Sequence, residues 1–360
     1  VPYPPGLAPS QRFRFEQYLP LLESHGHSYQ LAPFLDAGTW DILYKRGHAA
    51  DKVRGVLAGL GRRLALLFRL RQYDFVFVHR EATPLGPPVL EWLLAKVWRK
   101  RLIYDFDDAI WLHDDLASGR TLTGRLKWTR KVESICRWAW RVSCGNAYLA
   151  SYARQFNPKP GAVVVNPTTL DTQRLHNRLR DQSGRPGEPV IIGWTGTHST
   201  LPYLEKLWPV FRQLEADPSL PPFELHIIAN RAPTPDPELR TLRFVPWRKE
   251  TEIDDLLSFH FGLMPLEDDA WAQGKCAFKA LQYMALGMPA LVSPVGMNTE
   301  VVESGINGFV CDTPAAWEAA IRRLLTDADL RARQGAAARQ TIVARYSVAS
   351  NEANFLRLFQ

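Results

Sequence analysis

Residues 274–308 read GKCAFKALQYMALGMPALVSPVGMNTEVVESGING. Within this stretch Phe278, Leu281, Gln282 and Ala285 fall at helical spacing, and Gly287-Met288-Pro289 is the glycine-then-proline stop that ends a helix near Leu286. Ala290-Leu291-Val292-Ser293, bounded by Pro289 and Pro294, is the short apolar run of a buried parallel strand. Val295-Gly296 opens the loop after it, and open α/β sheets bind ligands where such strand ends feed loops. At the other end Gly274-Lys275 lets the backbone approach a ligand just before a helix whose first N–H groups lack partners within the helix, a seat for a diphosphate. Lys275 and Lys279 are its cations, each a point charge for a phosphate oxygen. The competing reading is an ordinary helix-strand unit with two solvated lysines.

Working outward, strands and helices alternate. Residues 12–25 read as a helix, 73–78 as a buried strand, 88–99 as a helix and 101–105 as a strand, with short strands near 141–144 and 162–165. Residues 178–189, RLRDQSGRPGEP, are charged and rich in Gly and Pro without periodicity, the composition of a linker. Strands resume at 190–193, 224–228, 242–245 and 262–265, with helices near 201–214 and 252–258 and a helical tail over 327–360. The organisation expected is α/β: a first Rossmann-like domain over 1–177, a linker over 178–189, a second over 190–345 and a closing helix over 346–360.

At 360 residues with 46% hydrophobic content the chain can fill two cores. No run of about 18 apolar residues is present to span a bilayer. The opening VPYPPG has neither the basic start nor the apolar run of a secretory signal, and reads as a strand end entering a proline-rich loop, with most of a first strand expected upstream. Four cysteines without a CxxC pair or a histidine cluster at metal spacing point to a reducing, cytoplasmic setting and to no metal.

A net charge of +7 favours an anionic partner. Residues 119–141, GRTLTGRLKWTRKVESICRWAWR, hold seven basic residues against Glu133 alone. On a helix, Trp128, Val132, Ile135, Ala139 and Val142 would share one stripe, and Lys127, Arg130, Lys131, Arg137 and Arg141 would lie nearly opposite. Two readings stay open: a surface helix packed by its stripe, or an electrostatic contact with anionic membrane lipid flanked by Trp138 and Trp140. No nucleic-acid motif or stacking platform is present, so nucleic acid is not an expected partner.

Other candidates lie at strand ends. Gly193-Trp194-Thr195-Gly196-Thr197-His198-Ser199 follows a strand and precedes a helix with Ser199 or Thr200 as its cap, so backbone N–H groups at Gly196 and Thr197 could hold a phosphate. Trp247, after another strand, either lies beside a nucleotide base or packs. In the first half Gly6 permits close approach, and Arg12 at a helix start fits the helix dipole poorly unless an anion binds there. His79 ends the strand FVFV, and Asp105-Phe106-Asp107-Asp108 follows the next one.

The helix KALQYMALGMPALVS, the following PVGMNTEVVESGINGFV and a later helix ending in ARYS closely resemble the C-terminal signature of the retaining family 4 glycosyltransferases, the glycosyl transferases group 1 domain. The resemblance covers the last half of the chain well and the first half loosely. It implies the GT-B fold, two Rossmann-like domains facing across a cleft, and a retaining, metal-independent hexosyl transfer from a nucleotide-diphosphate sugar to a hydroxyl acceptor. No cofactor is implied, the nucleotide sugar being a substrate. Together with the basic segment it suggests a glycan or lipid-linked acceptor, in cell-surface polysaccharide or glycolipid synthesis at the inner face of the membrane.

By the same resemblance the loop from Gly6 to Arg12 faces the donor diphosphate and His79 hydrogen-bonds the transferred sugar or the acceptor; Asp105 or Asp107, from its place after a strand, is expected to orient the acceptor or nearby backbone. The family's two glutamates, separated by seven residues, fall here on Gly274 and Gln282. Gln282 can still bond a ribose hydroxyl, and sugar contacts pass to Glu267, Asp268 or Asp269. That departure keeps two alternatives open: a nucleotide-sugar-binding protein without transfer, and a nucleotide-sugar epimerase.

Overall fold

The computed structural model describes residues 1–43, 45, 47–84, 86–112, 130–183, 187–234, 236 and 238–360. The β-branched and aromatic runs become ten strands among the described residues, all in parallel ladders. They form two compact units, residues 1–168 with 352–360, and residues 169–351.

The first unit has a four-stranded sheet in the order β1 (Phe75–His79), β2 (Arg101–Phe106), β3 (Arg141–Cys144), β4 (Val163–Val165). β2 is buried along Leu102 to Phe106, whereas β1 is an edge and its first three residues are only half-buried. A cavity of about 320 Å³ lies beside it, lined among others by Phe15, Leu22, Phe77, Phe355 and Phe359. The register pairs His79 with Asp105, and Asp105 with Ser143. Three polar side chains thereby meet at the carboxyl edge of an otherwise apolar sheet.

The second unit has six strands in the order β10-β9-β8-β5-β6-β7, with β5 Val190–Gly196, β6 Phe223–Ala229, β7 Leu242–Pro246, β8 Phe261–Met264, β9 Ala290–Val292 and β10 Gly308–Val310. The order runs outward from β5 in both directions, so the topological switch point falls between β5 and β8. Ile192, Trp194, Leu225, Ile227, Leu263 and Leu291 fill one core with the helix Pro314–Thr326. Each such side chain contributes about 1.5–3 kcal/mol by leaving water. The helix Phe278–Ala285 packs on β8 and stops, as its glycine predicts, before Gly287 at φ 76°.

Several expected elements differ. The helix over 12–25 is two, Pro9–Arg14 and Leu19–Ser24, because Phe15 leaves the helical region at φ −145° and Pro20 enters where a helix begins. Arg12 therefore sits in a last turn, where it suits the dipole, and its guanidinium lies over the Phe13 ring. The helix over 201–214 is likewise split into Leu201–Glu205 and Trp208–Glu215 by Pro209. The division between units falls after Thr168 rather than at 177, since Leu170 bridges to Ser347 and Arg339 donates to Thr172 O and His176 O. The described part of 178–189 also belongs to the second unit: Arg180 N donates to Leu286 O, and Gln182 Nε2 to His260 O.

The basic segment is the largest correction. Lys127 and Trp128 lie outside the described residues, and the helix spans only Lys131–Trp138. Asn157 Nδ2 closes its end, donating to Cys136 O and Ala139 O at 2.9 Å each, and Arg141 and Val142 already belong to β3. Val132 and Ile135 are buried as the stripe predicts. Lys131, however, is buried with them, 3.1 Å from Glu81 and donating to Thr83 O. Arg141 stacks on Trp140 and Arg137 lies over Phe156, so among the described residues the basic side chains of this segment do not share one face with Arg130.

Candidate functional site

At the switch point of the second unit, β5 ends in Trp194-Thr195-Gly196 and the helix Phe278–Ala285 begins beside it. Tyr283 fixes the two together: its hydroxyl accepts from Thr195 N at 3.0 Å and donates to Leu263 O at 3.3 Å. Its ring lies so close to β8 that a Cβ at Gly262 would stand 2.2 Å from it, which explains a glycine in a central strand. Burial pushes the Tyr283 phenol far up, so it stays a neutral bridge.

This clamp places Lys279, second residue of the helix, with its ammonium 5.6 Å from the centroid of the buried Trp194 indole. Gly196 lies beneath them, where a Cβ would come 2.6 Å from Trp194 and 2.9 Å from Lys279 Cε. The three expected residues Gly196, Thr197 and Lys279 are thus gathered around a helix start, with Gln282 one turn further on and buried. Gly274 is not the residue that needs special freedom; it sits at φ −73°. Ala277 does, at φ 53° immediately before the helix, a conformation costing about 1–2 kcal/mol for a residue with a Cβ. The sequence missed that position, because nothing about alanine signals it. Such a strained entry is the kind of outlier found at ligand sites.

Lys275 is drawn aside, its ammonium 4.4 Å from the Trp271 ring. Thr200 is the N-cap of the next helix, as expected, but its side chain makes no cap bond; Thr200 Oγ1 donates back to Thr197 O and Thr197 Oγ1 pairs with Ser199 Oγ. Trp247 reaches the same sheet edge, its N–H on Ala229 O and its indole N–H 3.4 Å from Glu252. Asn230 beside it accepts from His198 N. The three acidic candidates for sugar contacts already have structural partners. Glu267 pairs with Lys206, Asp268 accepts from Gln273, and Asp269 caps the helix Ala270–Gln273 through Ala272 N.

In the first unit the carboxyl edge holds a buried polar chain. His79 Nδ1 is 2.8 Å from Asp105 Oδ2, and His79 Nε2 is 2.9 Å from Ser10 Oγ. Asp105 Oδ1 accepts from Arg14 Nη2 at 2.5 Å and from Ser143 Oγ at 2.6 Å. Burial alone would raise the Asp105 carboxyl, but Arg14 and the hydrogen bond from His79 hold it below the usual carboxylate range. Arg14 also donates to Asn166 O, so one arginine ties the first helix to β2, β3 and the end of β4.

Next to this chain Arg80, at φ 58°, bonds Asp107 at 2.9 Å and Asp108 at 2.6 Å. Burial opposes the Asp107 charge, yet Arg80, His79 and Arg14 hold its carboxyl far below the ordinary range. The aspartate pair is occupied by an arginine. Gly6, at φ 76°, donates its N–H to Glu16 at 2.8 Å, which closes the first loop. The structure brings the expected His79 and Asp105 together with Arg14, a residue the sequence reading did not single out, while the expected Arg12 lies over the Phe13 ring. The signal that selects Arg14 is demand: an aspartate at the end of a fully buried strand requires a cation.

Residues 275–341 match the family model of the glycosyl transferases group 1. The architecture is GT-B, as in a glycosyltransferase from Rickettsia africae, with a TM-score of 0.65, 11% identity, and 100% of this chain and 96% of that one covered. WaaG, a glycosyltransferase involved in lipopolysaccharide biosynthesis, aligns with a TM-score of 0.63, 12% identity, and 99% and 97% coverage. HepE of Anabaena, solved with UDP and glucose, gives 0.59, 14% identity, and 96% and 90% coverage. No curated protein matches the chain in sequence.

Proposed function

We propose that this chain, a GT-B protein whose residues 275–341 belong to the glycosyl transferases group 1, moves a hexosyl group from a nucleotide-diphosphate sugar to a hydroxyl acceptor with retention of configuration. The observation that carries the reading is Lys279: a cation at a helix start, at the switch point of a parallel sheet, packed with Trp194 over a glycine whose missing side chain lets both come close. That combination suits a diphosphate, and HepE, which shares the fold, holds UDP. As the donor C1–O bond breaks, the diphosphate gains charge, and fixed N–H groups with Lys279 stabilise it without rearrangement. The acceptor hydroxyl forms its bond to C1 on the same face, and its proton leaves with the diphosphate. No metal is needed in this scheme.

The proposed setting is cell-surface polysaccharide or glycolipid synthesis at the inner face of a membrane, the part of the reading that WaaG supports through its role in lipopolysaccharide biosynthesis. In its described part, residues 130–141, the basic segment does not present a common basic face.

The test is release of nucleoside diphosphate from a panel of UDP-, GDP- and ADP-sugars, with and without a glycan acceptor. Transfer to acceptor with a retained anomeric configuration is expected for one base. If no nucleoside diphosphate shifts the melting temperature and none is released, the site assignment is wrong. Binding without transfer would instead favour the non-catalytic reading, which Gly274 and Gln282 motivate by bringing no carboxylate to the site. A changed sugar without acceptor would mark an epimerase.

A further inference from the structure

The helix Ala49–Leu67 is built inside out. The side it turns to its own unit is made of Gly55, Gly59 and Arg63, all buried. A Cβ at Gly55 would stand 2.3 Å from Thr39, and one at Gly59 2.7 Å from Phe34 O, so the backbone itself is in contact there. Arg63 completes that face by donating to Ala82 O, Ala32 O and Val1 O at 2.8 Å each. The helix's large apolar residues lie off this buried face: Val56, Leu66 and Leu67 are half-buried, and five others in it or just past its end are exposed.

Those five point to solvent: Val53 is 59% exposed, Leu57 63%, Leu60 38%, Leu64 56% and Phe68, just past the helix end, 89%. At ~100° per residue they fall within an arc of about 80°, a continuous stripe about 22 Å long. Single exposed leucines mean nothing, but an aligned row of five marks a contact surface. Charge then separates the occupants. Between His48 and Tyr73 the sequence carries six Lys or Arg against Asp51 alone, with Lys52 and Arg54 at one end of the stripe and Arg69 and Arg71 at the other. A second copy laid on the stripe in either direction would bring basic ends together. An anionic lipid surface meets both features, accepting the apolar row below its headgroups and the arginines at them.

We propose that the Val53, Leu57, Leu60, Leu64 and Phe68 stripe is the element by which this protein lies on an anionic membrane surface. It rests on the membrane-surface part of the function proposed above and is independent of the transfer chemistry. Expected helical stripes elsewhere, such as Val132 and Ile135, are consumed by the core and cannot insert; this one is not.

Sedimentation with vesicles of phosphatidylglycerol and phosphatidylcholine in equal parts tests it. The protein should co-sediment, much less with phosphatidylcholine alone, and less at high salt. A Leu57→Ser/Leu64→Ser/Phe68→Ser variant, which leaves Gly55, Gly59 and Arg63 untouched, should bind at least about tenfold more weakly. Arg54→Glu/Arg69→Glu should abolish the preference for phosphatidylglycerol. A melting shift with nucleoside diphosphate on the same samples reports the donor site separately, so either reading can fail alone. The proposal is overturned if the serine variant binds vesicles as well as the parent, if neither vesicle binds, or if light scattering shows a dimer that the serine variant disperses.

Discussion

The carboxyl edges of the two sheets handle charge in opposite ways. In the first unit the charged groups neutralise one another: Arg14 on Asp105, Arg80 on Asp107 and Asp108, with His79 and Ser10 extending the chain outward. In the second unit the cations rest on indole faces, Lys279 on Trp194 and Lys275 on Trp271. A carboxylate partner holds an arginine firmly because both ions have left water, whereas an indole holds an ammonium by roughly 0.5–2 kcal/mol. The first edge is therefore a rigid scaffold whose charges are already committed. The second sets its ammonium groups over aromatic faces close to a helix start.

Breaking the scaffold should give the largest effect. Arg14→Ala leaves Asp105 buried beside an empty site, and a loss of about 3–5 kcal/mol is expected in urea unfolding. A loss under about 1 kcal/mol would show that Asp105 is solvated and would erase the contrast. Next, Lys279→Ala should weaken nucleoside-diphosphate binding by about tenfold or more in calorimetric titration, with little change in melting temperature. The exposed Lys206, paired with Glu267, supplies the control and the smallest effect: Lys206→Ala should change stability by less than about 1 kcal/mol and leave nucleotide affinity alone. Equal losses in the two lysine variants would mean that general positive charge, not the switch-point geometry, governs binding.

Acidification sharpens the comparison between those extremes. In the second unit burial, with Arg180 and Arg331 nearby, pushes His260 down to about 4. The unfolded chain takes up a proton there below about pH 6.5 while the folded one does not, so stability should fall as pH drops from about 6.5 towards 4. His260→Gln should flatten that slope. In the first unit Asp105 and Asp107 are both depressed, so their contribution persists through this window and is lost only at lower pH.

Periodicity and punctuation made much of the second unit legible. The helix Phe278–Ala285, its stop at Gly287 and the strand Ala290–Val292 follow directly from apolar spacing between glycine and prolines. What did not show was either a single backbone angle, as at Ala277, or a partner distant in sequence, as for Arg14 and Asp105. The helix Ala49–Leu67 went unread for a different reason. Its buried side is glycine and arginine, so the usual inference that apolar residues mark the core fails there. Over Lys131–Trp138 the periodicity holds for Val132 and Ile135, but burial of Lys131 against Glu81 overrode the expected split between apolar and basic sides.

The stacking of Lys279 on Trp194 gives the molecule a built-in optical gauge. Indole emission responds to a nearby ammonium, and Trp194, like Trp208 and Trp317, is shielded from bulk quenchers that reach the exposed Trp92. An anion that lifts the ammonium from the ring therefore alters the light from that residue, and occupancy of the pocket becomes readable without a label, a coupled assay or knowledge of the acceptor.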